Sequence, residues 1–386
     1  MPIDVVGLRA SIPALQNTIY LNSGGSAPSP RRVLDAMHGY LDRQSLQGPF
    51  TQPMLAEEVR TEKALRSTLA QTIGAAAAEI TICNNTTDGI NLVSGGVDWR
   101  EGDEVLITDQ EHASGLLPWF YLRDRFGIVV KTVTLPADGH GIPELFEAQM
   151  TPRTRLVCVS HASWCTGLLL PVREIAAAAH RHGSAVLIDG AQGPGHLPVD
   201  VKDLGCDFYA LSGQKWLMGP HGSGAFYVSS EAVWQPVPSH LGWASASRVT
   251  VGGEYSMHPD GRRYEYATTN HAVLSGLTAA LELYLEHGAM DVFERILSLS
   301  DTMEAQLRSI PGTEIISPRG AGLSTGLLSF RISGRKPQTI VSVLWEQYRI
   351  ACRWVDPEAV RLSIHIFNTE DELSTVAKAI QQIAMQ

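Results

Sequence analysis

Short apolar segments alternate with helical segments through the middle of the chain, and this pattern restricts the fold more than any other feature. Examples are DEVLITD, TRLVCVS and SAVLIDG, which are apolar along most of their length. Strands that are apolar on both faces are typical of a parallel sheet with helices on each side. The sequence therefore predicts an α/β fold with a mainly parallel sheet.

The pattern changes after about residue 260. Two long helices are predicted over residues 271–287 and 290–309, and shorter strand and helix segments follow them. We expect a large domain over residues 15–260 and a smaller α+β domain over residues 261–386. The N-terminal segment, residues 1–14, should complete the small domain.

Composition and charge exclude several classes of protein. The 386 residues, 44% of them hydrophobic, can bury a large core, and a net charge of -10 without a Lys/Arg block disfavours nucleic acids and anionic membranes as partners. No apolar run approaches the roughly 18 residues that cross a bilayer, and the N-terminus lacks signal-peptide features.

The cysteines are scattered, odd in number and without a CxxC pair: Cys83, Cys158, Cys165, Cys206 and Cys352. We expect free thiols in a cytoplasmic enzyme, with no disulfide framework and no metal site.

An acid and a lysine follow two neighbouring strand segments. Asp189 ends SAVLID, and Lys215 stands 26 residues later in LSGQKWLMGP, just past the next strand segment. Both can face one crevice at the carboxyl edge of a parallel sheet. A pyridine-ring cofactor needs such a pair, because a carboxylate keeps the ring nitrogen protonated and an amine holds the aldehyde as a Schiff base. Taken singly, Asp189 could also be a helix N-cap or part of a surface turn, and Lys215 could be an ordinary solvated surface lysine.

The stretch NNTTDGIN at residues 84–91 predicts an anion site. It places Asn85, Thr86 and Thr87 at the start of a helix, where free N–H groups and hydroxyls bind phosphate. An ordinary N-cap by a threonine explains the same residues, and both interpretations can hold together. Ser212 and Gln214, just before the lysine, add possible donors.

The stretch IDGAQGPGHLPVDVKDLGCDFYALSGQKW resembles the signature of class V aminotransferase-like enzymes of pyridoxal-phosphate (PLP) fold type I. That group includes cysteine desulfurases, isopenicillin N epimerases and cystine C–S lyases. The resemblance runs from YLNSGGSAP at residue 20 to FNTEDEL at residue 367. It implies PLP as cofactor, an amino acid as substrate, and a seven-stranded, mainly parallel sheet in the large domain.

The resemblance also implies a role for each site residue. Lys215 should form the Schiff base and move protons, Asp189 should pair with the pyridine nitrogen, and Gln192 should bond the phenolic oxygen. His112, in EHASG, matches an imidazole that stacks on the cofactor, although a structural histidine is the alternative. The matched phosphate contacts are Thr86, Thr87, Ser212 and Gln214. Thr268, in RYEYATTN, matches a threonine that reaches the phosphate of the partner subunit, which implies a homodimer with shared active sites.

Two positions depart from the desulfurase pattern. Gln214 stands where desulfurases usually have a histidine, and a glutamine can still donate to phosphate. Trp164, in SHASWCTG, stands where they commonly have an asparagine. We expect the large apolar ring to reshape the substrate side of the pocket.

Two arginines and one cysteine bear on the choice of reaction. Arg361 matches the arginine that binds the α-carboxylate in a fork, and Arg353 matches a second arginine of cyanobacterial-type cystine lyases that could bind a distal carboxylate; either could instead form a surface salt bridge. Desulfurases need a nucleophilic cysteine on a late loop, but RIACRWVDPEAVR leaves only a short loop. We interpret Cys352 as a core or pocket-wall thiol.

Without a mobile cysteine, sulfur has to leave with the substrate's own leaving group. The sequence thus favours a PLP-dependent C–S lyase that performs β-elimination on L-cystine, L-cysteine or a related S-substituted cysteine, giving pyruvate, ammonia and a persulfide or sulfide. Alternatives are a desulfurase giving alanine and sulfane sulfur, an isopenicillin N epimerase-like enzyme, or another class V enzyme acting on an amino acid. A non-catalytic scaffold conflicts with the intact lysine, aspartate, histidine and arginine.

Overall fold

The computed structural model describes residues 3–356 and 358–385. Within these ranges the α-helices are α1 Val5–Ala10, α2 Arg31–Gln47, α3 Gln52–Ile73, α4 Thr86–Gly95, α5 Ala113–Phe126, α6 Ile142–Gln149, α7 Val172–Arg181, α8 Val201–Leu204, α9 His271–His287, α10 Ala289–Arg308, α11 Pro337–Tyr348 and α12 Glu370–Met385. The strands are β1 Ile19–Tyr20, β2 Ile80–Cys83, β3 Glu104–Thr108, β4 Val129–Val133, β5 Thr154–Ser160, β6 Ala185–Asp189, β7 Phe208–Ser212, β8 Gly224–Val228, β9 Ala246–Val249, β10 Tyr255–Met257, β11 Thr313–Ile315, β12 Leu327–Ile332, β13 Ile350–Ala351, β14 Arg353–Val355 and β15 Ala359–Ser363.

The larger sheet has seven strands in the order β2-β8-β7-β6-β5-β3-β4. Strands β7, β6, β5, β3 and β4 are parallel in that order, and β8 is antiparallel to both of its neighbours. Strands β3, β6, β7 and β8 are buried along their whole length, as expected for a sheet with helices on both faces. The predicted α/β fold with a seven-stranded, mainly parallel sheet is confirmed.

The strand order creates a crevice at the carboxyl edge of this sheet. Strand β5 lies between β6, which follows it in the chain, and β3, which precedes it. Connections leave in opposite directions at such a point, and open α/β sheets bind their ligands there. The ladder aligns Ser160 at the end of β5 with Asp189 at the end of β6.

A second sheet of four antiparallel strands has the order β11-β12-β15-β14. Helices α10, α11 and α12 pack with it around a separate core that includes Phe330, Leu362 and Ile380. Strand β1 pairs with β13, and Asn22 bridges to Ser363, so the segment after residue 18 also joins this region.

Helix α9 has the bounds that the sequence predicts, yet it packs against α2 and α3. Its buried Leu274, Leu277 and Leu281 belong to the core shared with the larger sheet. The domain boundaries after residues 14 and 260 therefore stay predictions. Among the described residues, no helix has both the length and the apolar character that a membrane crossing needs.

Candidate active site

A cleft of about 370 Å³ lies at the carboxyl edge of the larger sheet. It brings together eleven of the twelve site residues predicted from the sequence, namely Thr86, Thr87, His112, Trp164, Asp189, Gln192, Ser212, Gln214, Lys215, Arg353 and Arg361. Residues far apart in the sequence thus meet at the point where the strand order predicts a ligand.

Lys215 lies in a tight turn just after β7. Gly213 N–H donates to the Ser223 carbonyl at 2.7 Å, and a Cβ on Gly213 would lie 2.3 Å from Ser223 Oγ. Burial lowers the pKa of Lys215 to about 8, while Asp189 acts in the opposite direction. The turn therefore presents an amine that is easily deprotonated near neutral pH, as a nucleophile or a base requires.

Asp189 and Gln192 are fixed by hydrogen bonds beside the lysine. Asp189 is 5% exposed, and its Oδ1 accepts from the backbone N–H of Ala191 at 2.9 Å. Gln192 donates from Nε2 to the Gly24 carbonyl at 3.0 Å and accepts at Oε1 from the Trp216 indole at 2.6 Å. These contacts leave the second amide hydrogen of Gln192 for a ligand.

The first turn of α4 and the end of β7 form a cradle of donors. Asn85 caps the helix by accepting from the Asp88 N–H at 3.0 Å. Thr86 bonds through its hydroxyl to Ser212 Oγ at 2.8 Å, and its N–H donates to the same oxygen at 3.0 Å. Asn85 is therefore the N-cap, and the threonine cap that the sequence offers is wrong, because Thr86 and Thr87 already lie inside the helix. The anion site at this helix start stays a prediction.

His112 and Trp164 form one wall of the cleft. His112 caps α5, where its Nδ1 accepts from the Ser114 N–H at 3.3 Å, so the proton of the neutral ring lies on Nε2. The two rings meet edge to face, with centroids 5.3 Å apart. Burial and then the charge of Lys215 lower the pKa of His112, which favours the neutral imidazole.

In the described part of the chain, the side chain of Arg361 forms hydrogen bonds to neutral groups and none to a carboxylate. It is fully buried, and Nη1 donates to the Trp164 carbonyl at 2.5 Å while Nη2 reaches Asn22 Oδ1 at 3.5 Å. Its Nε is buried without a hydrogen-bond partner in the described part of the chain. Burial, and then Arg353, lowers the pKa of Arg361 to about 9. The group is still charged at neutral pH and suits the carboxylate of a ligand.

Arg353 lies at the mouth of the cleft. It is exposed, and its guanidinium lies 5.6 Å from the centre of the Trp164 ring. Trp164 is thereby flanked by His112 and Arg353, two groups that restrict how its ring can turn.

Thr268 lies outside this cleft. It lines two other cavities together with Thr269 and Asn270. The predicted contact of Thr268 with a phosphate needs a second subunit and stays a prediction.

Several residues that line the cleft were not predicted as site residues. These are Gly24, Gly25, Ser114, Ser160 and Ala191. The SGG stretch at residues 23–25 carried a signal, because paired glycines allow close approach: a Cβ on Gly24 would lie 2.8 Å from Leu327 Cδ2. Ser160 had no local signal, since its position depends on the pairing of β5 with β6.

The residues of the cleft fit PLP. One cleft contains an amine, a carboxylate and a cradle of hydrogen-bond donors, which are the groups that the aldehyde, the ring nitrogen and the phosphate of PLP require. Gln214 supports the fit, because its buried Oε1 has no hydrogen-bond partner among the described residues. Since the two ends of an amide can exchange by a flip, this side chain can offer either a donor or an acceptor to a ligand.

Known proteins agree with this fit. The family model for Aminotransferase class-V matches residues 19–376. A probable cysteine desulfurase of Methanothermobacter thermautotrophicus is 31% identical, over 98% of this chain and 97% of the relative. A cysteine desulfurase of Escherichia coli O157:H7 is also 31% identical, over 99% of each chain.

Solved structures give the same result. The cystine C–S lyase C-DES, in complex with its reaction product cysteine persulfide, aligns with a TM-score of 0.91 and 32% identity, over 96% of this chain and 99% of that one. A lysine-to-alanine variant of C-DES, with glycine covalently linked to the PLP cofactor, also gives a TM-score of 0.91, at 31% identity over 97% and 98%. The chain belongs to the class V aminotransferase family and is a PLP-dependent enzyme of the cysteine desulfurase and C–S lyase group.

Proposed function

We propose that the enzyme performs β-elimination on cystine or a related S-substituted cysteine, rather than transferring sulfur to one of its own cysteines. With cystine and one water, the products would be pyruvate, ammonia and cysteine persulfide. The Cβ–S bond breaks, and both of its electrons leave with the sulfur. A persulfide is a better leaving group than hydrosulfide, because its conjugate acid is stronger.

The low reactivity of the five cysteine thiols is the main support for this proposal. Burial raises the pKa of every one of the five thiols, and that of Cys352 rises to about 12. A thiol attacks as its thiolate, so each is held in its unreactive form near neutral pH. Cys352 lies between two short strands, β13 and β14, which pair with neighbouring strands and hold it in place.

The chain's own residues account for binding and proton transfer. Bound PLP supplies an aldehyde for amines and a ring that accepts electrons. Arg361 would bind the α-carboxylate, and Lys215, with its lowered pKa, would remove the α-proton. Arg353, exposed at the mouth, would meet the distal carboxylate of cystine, a group that cysteine lacks.

Product analysis tests the proposal. The PLP-loaded enzyme is incubated with cystine, cysteine and a panel of S-substituted cysteines. We expect pyruvate and ammonia in equal amounts, with persulfide from cystine. Alanine would instead indicate desulfuration, the alternative that the similarity to cysteine desulfurases favours, and an inverted α-carbon would indicate epimerisation.

Cysteine variants separate elimination from desulfuration. Cys352→Ala should keep pyruvate formation and sulfur release, and Cys206→Ala is the matched control at a buried thiol outside the cleft. Loss of sulfur release in Cys352→Ala alone would overturn the proposal and support a persulfide on that thiol.

We further propose that the enzyme acts as a homodimer. The groove of about 1050 Å³ that contains Thr268 is bordered by exposed Phe50 and Trp243, which a second copy would cover. Sedimentation of the wild type should give twice the mass of one chain. Thr268→Val should weaken PLP binding without changing that mass, whereas an unchanged affinity would remove Thr268 from the site.

A cytoplasmic location is also part of the proposal. The five cysteines are free in the structure, as is usual in a reducing compartment. Cell fractionation followed by thiol labelling tests this point, and oxidised thiols in a secreted fraction would contradict it.

A further inference from the structure

Glu111 is a buried carboxylate beside the cleft, and none of the roles above uses it. Its side chain is 5% exposed and lies between the ends of β3 and β5. The carboxylate accepts from Thr108 Oγ1 at 2.7 Å, from Ser160 Oγ at 2.6 Å and from the Ser160 N–H at 3.1 Å. All three hydrogen bonds come from neutral groups, so they orient the charge without cancelling it.

These bonds place Glu111 next to two groups of the cofactor site. Ser160 lines the cleft and lies opposite Asp189 in the ladder between β5 and β6, a separation of about 5 Å between strands. His112 follows Glu111 directly and lines the same cleft. Glu111 thus holds Ser160, a neighbour of Asp189, through hydrogen bonds, and it directly precedes His112 in the chain.

The groups around Glu111 are mostly acidic or neutral. Burial first, and then the charge of Asp189 on β6, raises the pKa of Glu111 to about 7, against the hydrogen bonds from Ser160 and Thr108. Cys158 on β5 also faces it, and burial raises the pKa of that thiol, so it stays neutral. Lys215 lines the same cleft as Ser160 and Asp189. A cation near Asp189 would therefore favour the ionised form of Glu111.

We infer that Glu111 is a positioning residue for PLP. It holds the Ser160 hydroxyl in place and adds a second negative charge to that of Asp189 at the ring-nitrogen end of the site. This inference depends on the cofactor alone and not on which amino acid is the substrate, so it can be tested without turnover.

The test is a pH titration of the PLP-loaded enzyme without substrate, in which the absorbance of the lysine–PLP Schiff base reports its pKa. Glu111→Gln keeps the shape of the side chain and removes its charge. The pKa of the Schiff base should fall, by at most about 1 unit, because the variant removes a negative charge that Glu111, with its own pKa of about 7, carries only in part near neutral pH.

Glu104→Gln is the matched control. Glu104 is a buried carboxylate at the opposite end of β3 that also accepts from threonine hydroxyls, Thr151 at 2.7 Å and Thr154 at 3.0 Å. Unlike Glu111 it is paired with cations, Lys131 at 2.7 Å and Arg153 at 3.3 Å, so it controls for the loss of a buried carboxylate away from the cleft. This variant should lower the unfolding temperature but leave the Schiff-base pKa unchanged. An equal pKa in wild type, Glu111→Gln and Glu104→Gln would overturn the inference and leave Glu111 with a role in stability only.

Thr108→Val gives a second measurement, which decides the matter if Glu111→Gln does not fold. Thr108 is buried outside the cleft and donates one of the three hydrogen bonds to Glu111. Its loss raises the pKa of Glu111 and makes the carboxylate less ionised, so the Schiff-base pKa should fall by a smaller amount. A Schiff-base pKa equal to that of the wild type in Thr108→Val would contradict the inference.

Discussion

Replacing Lys215 with methionine should stabilise the cofactor-free protein at neutral pH. Burial lowers the pKa of Lys215 from its ordinary 10.5 to about 8, so the folded chain holds the proton less tightly than the unfolded chain. The difference between 10.5 and about 8 corresponds to roughly 3 kcal/mol. The buried amine therefore lowers the free energy of unfolding by this full amount below about pH 8. The effect shrinks as the pH rises towards 10.5, and it is absent above 10.5, where the amine is neutral in both the folded and the unfolded state.

Urea denaturation of the cofactor-free protein, followed by circular dichroism from about pH 7 to about pH 10.5, measures this effect. The free energy of unfolding of the wild type should rise with pH across this window relative to that of Lys215→Met. Methionine also changes apolar packing, but that contribution does not depend on pH. Lys63→Met, at an exposed position on α3, should run parallel to the wild type. A difference between wild type and Lys215→Met that stays constant with pH would refute the reasoning.

Three further substitutions test other parts of the site. Arg361→Lys should lower kcat/KM for cystine roughly 10- to 100-fold. An ammonium would keep one of the two charge-assisted hydrogen bonds proposed for the guanidinium and lose the other, which is worth about 1.5–3 kcal/mol. An unchanged kcat/KM in steady-state kinetics would contradict this. Trp216→Phe should destabilise the protein by about 1–3 kcal/mol, measured by denaturation, because Gln192 Oε1 loses a donor 2.6 Å away. Gly24→Ala should weaken PLP binding in an absorbance titration, because the new Cβ would lie 2.8 Å from Leu327 Cδ2 and 3.1 Å from Gln192 Oε1.

Local patterns in the sequence predict most of the fold and much of the site. The bounds of α9 can be predicted because its apolar residues and caps all lie within one segment. Asp189 and Lys215 can be paired because each follows a strand of one parallel sheet, and the carboxyl ends of such strands share an edge.

The features that sequence reasoning missed depend on contacts between distant segments. The approach of Gly24 to Gln192 joins residues 168 positions apart. Glu111 lies next to His112, but its carboxylate bonds Ser160, 49 residues away. The hairpin of β9 and β10 carries mostly exposed side chains, so it lacks the apolar alternation that would have predicted its strands.

The pairing of β1 with β13 has a consequence for synthesis of the chain. Gly24, a few residues past β1, lines the same cleft as Arg361, so the site cannot be complete until nearly the whole chain has been translated. At roughly 5–20 residues per second, a ribosome adds the 146 residues from Lys215 to Arg361 in about 7 to 30 seconds. During that interval the nascent chain already carries its reactive lysine but lacks the arginine that would bind a substrate carboxylate.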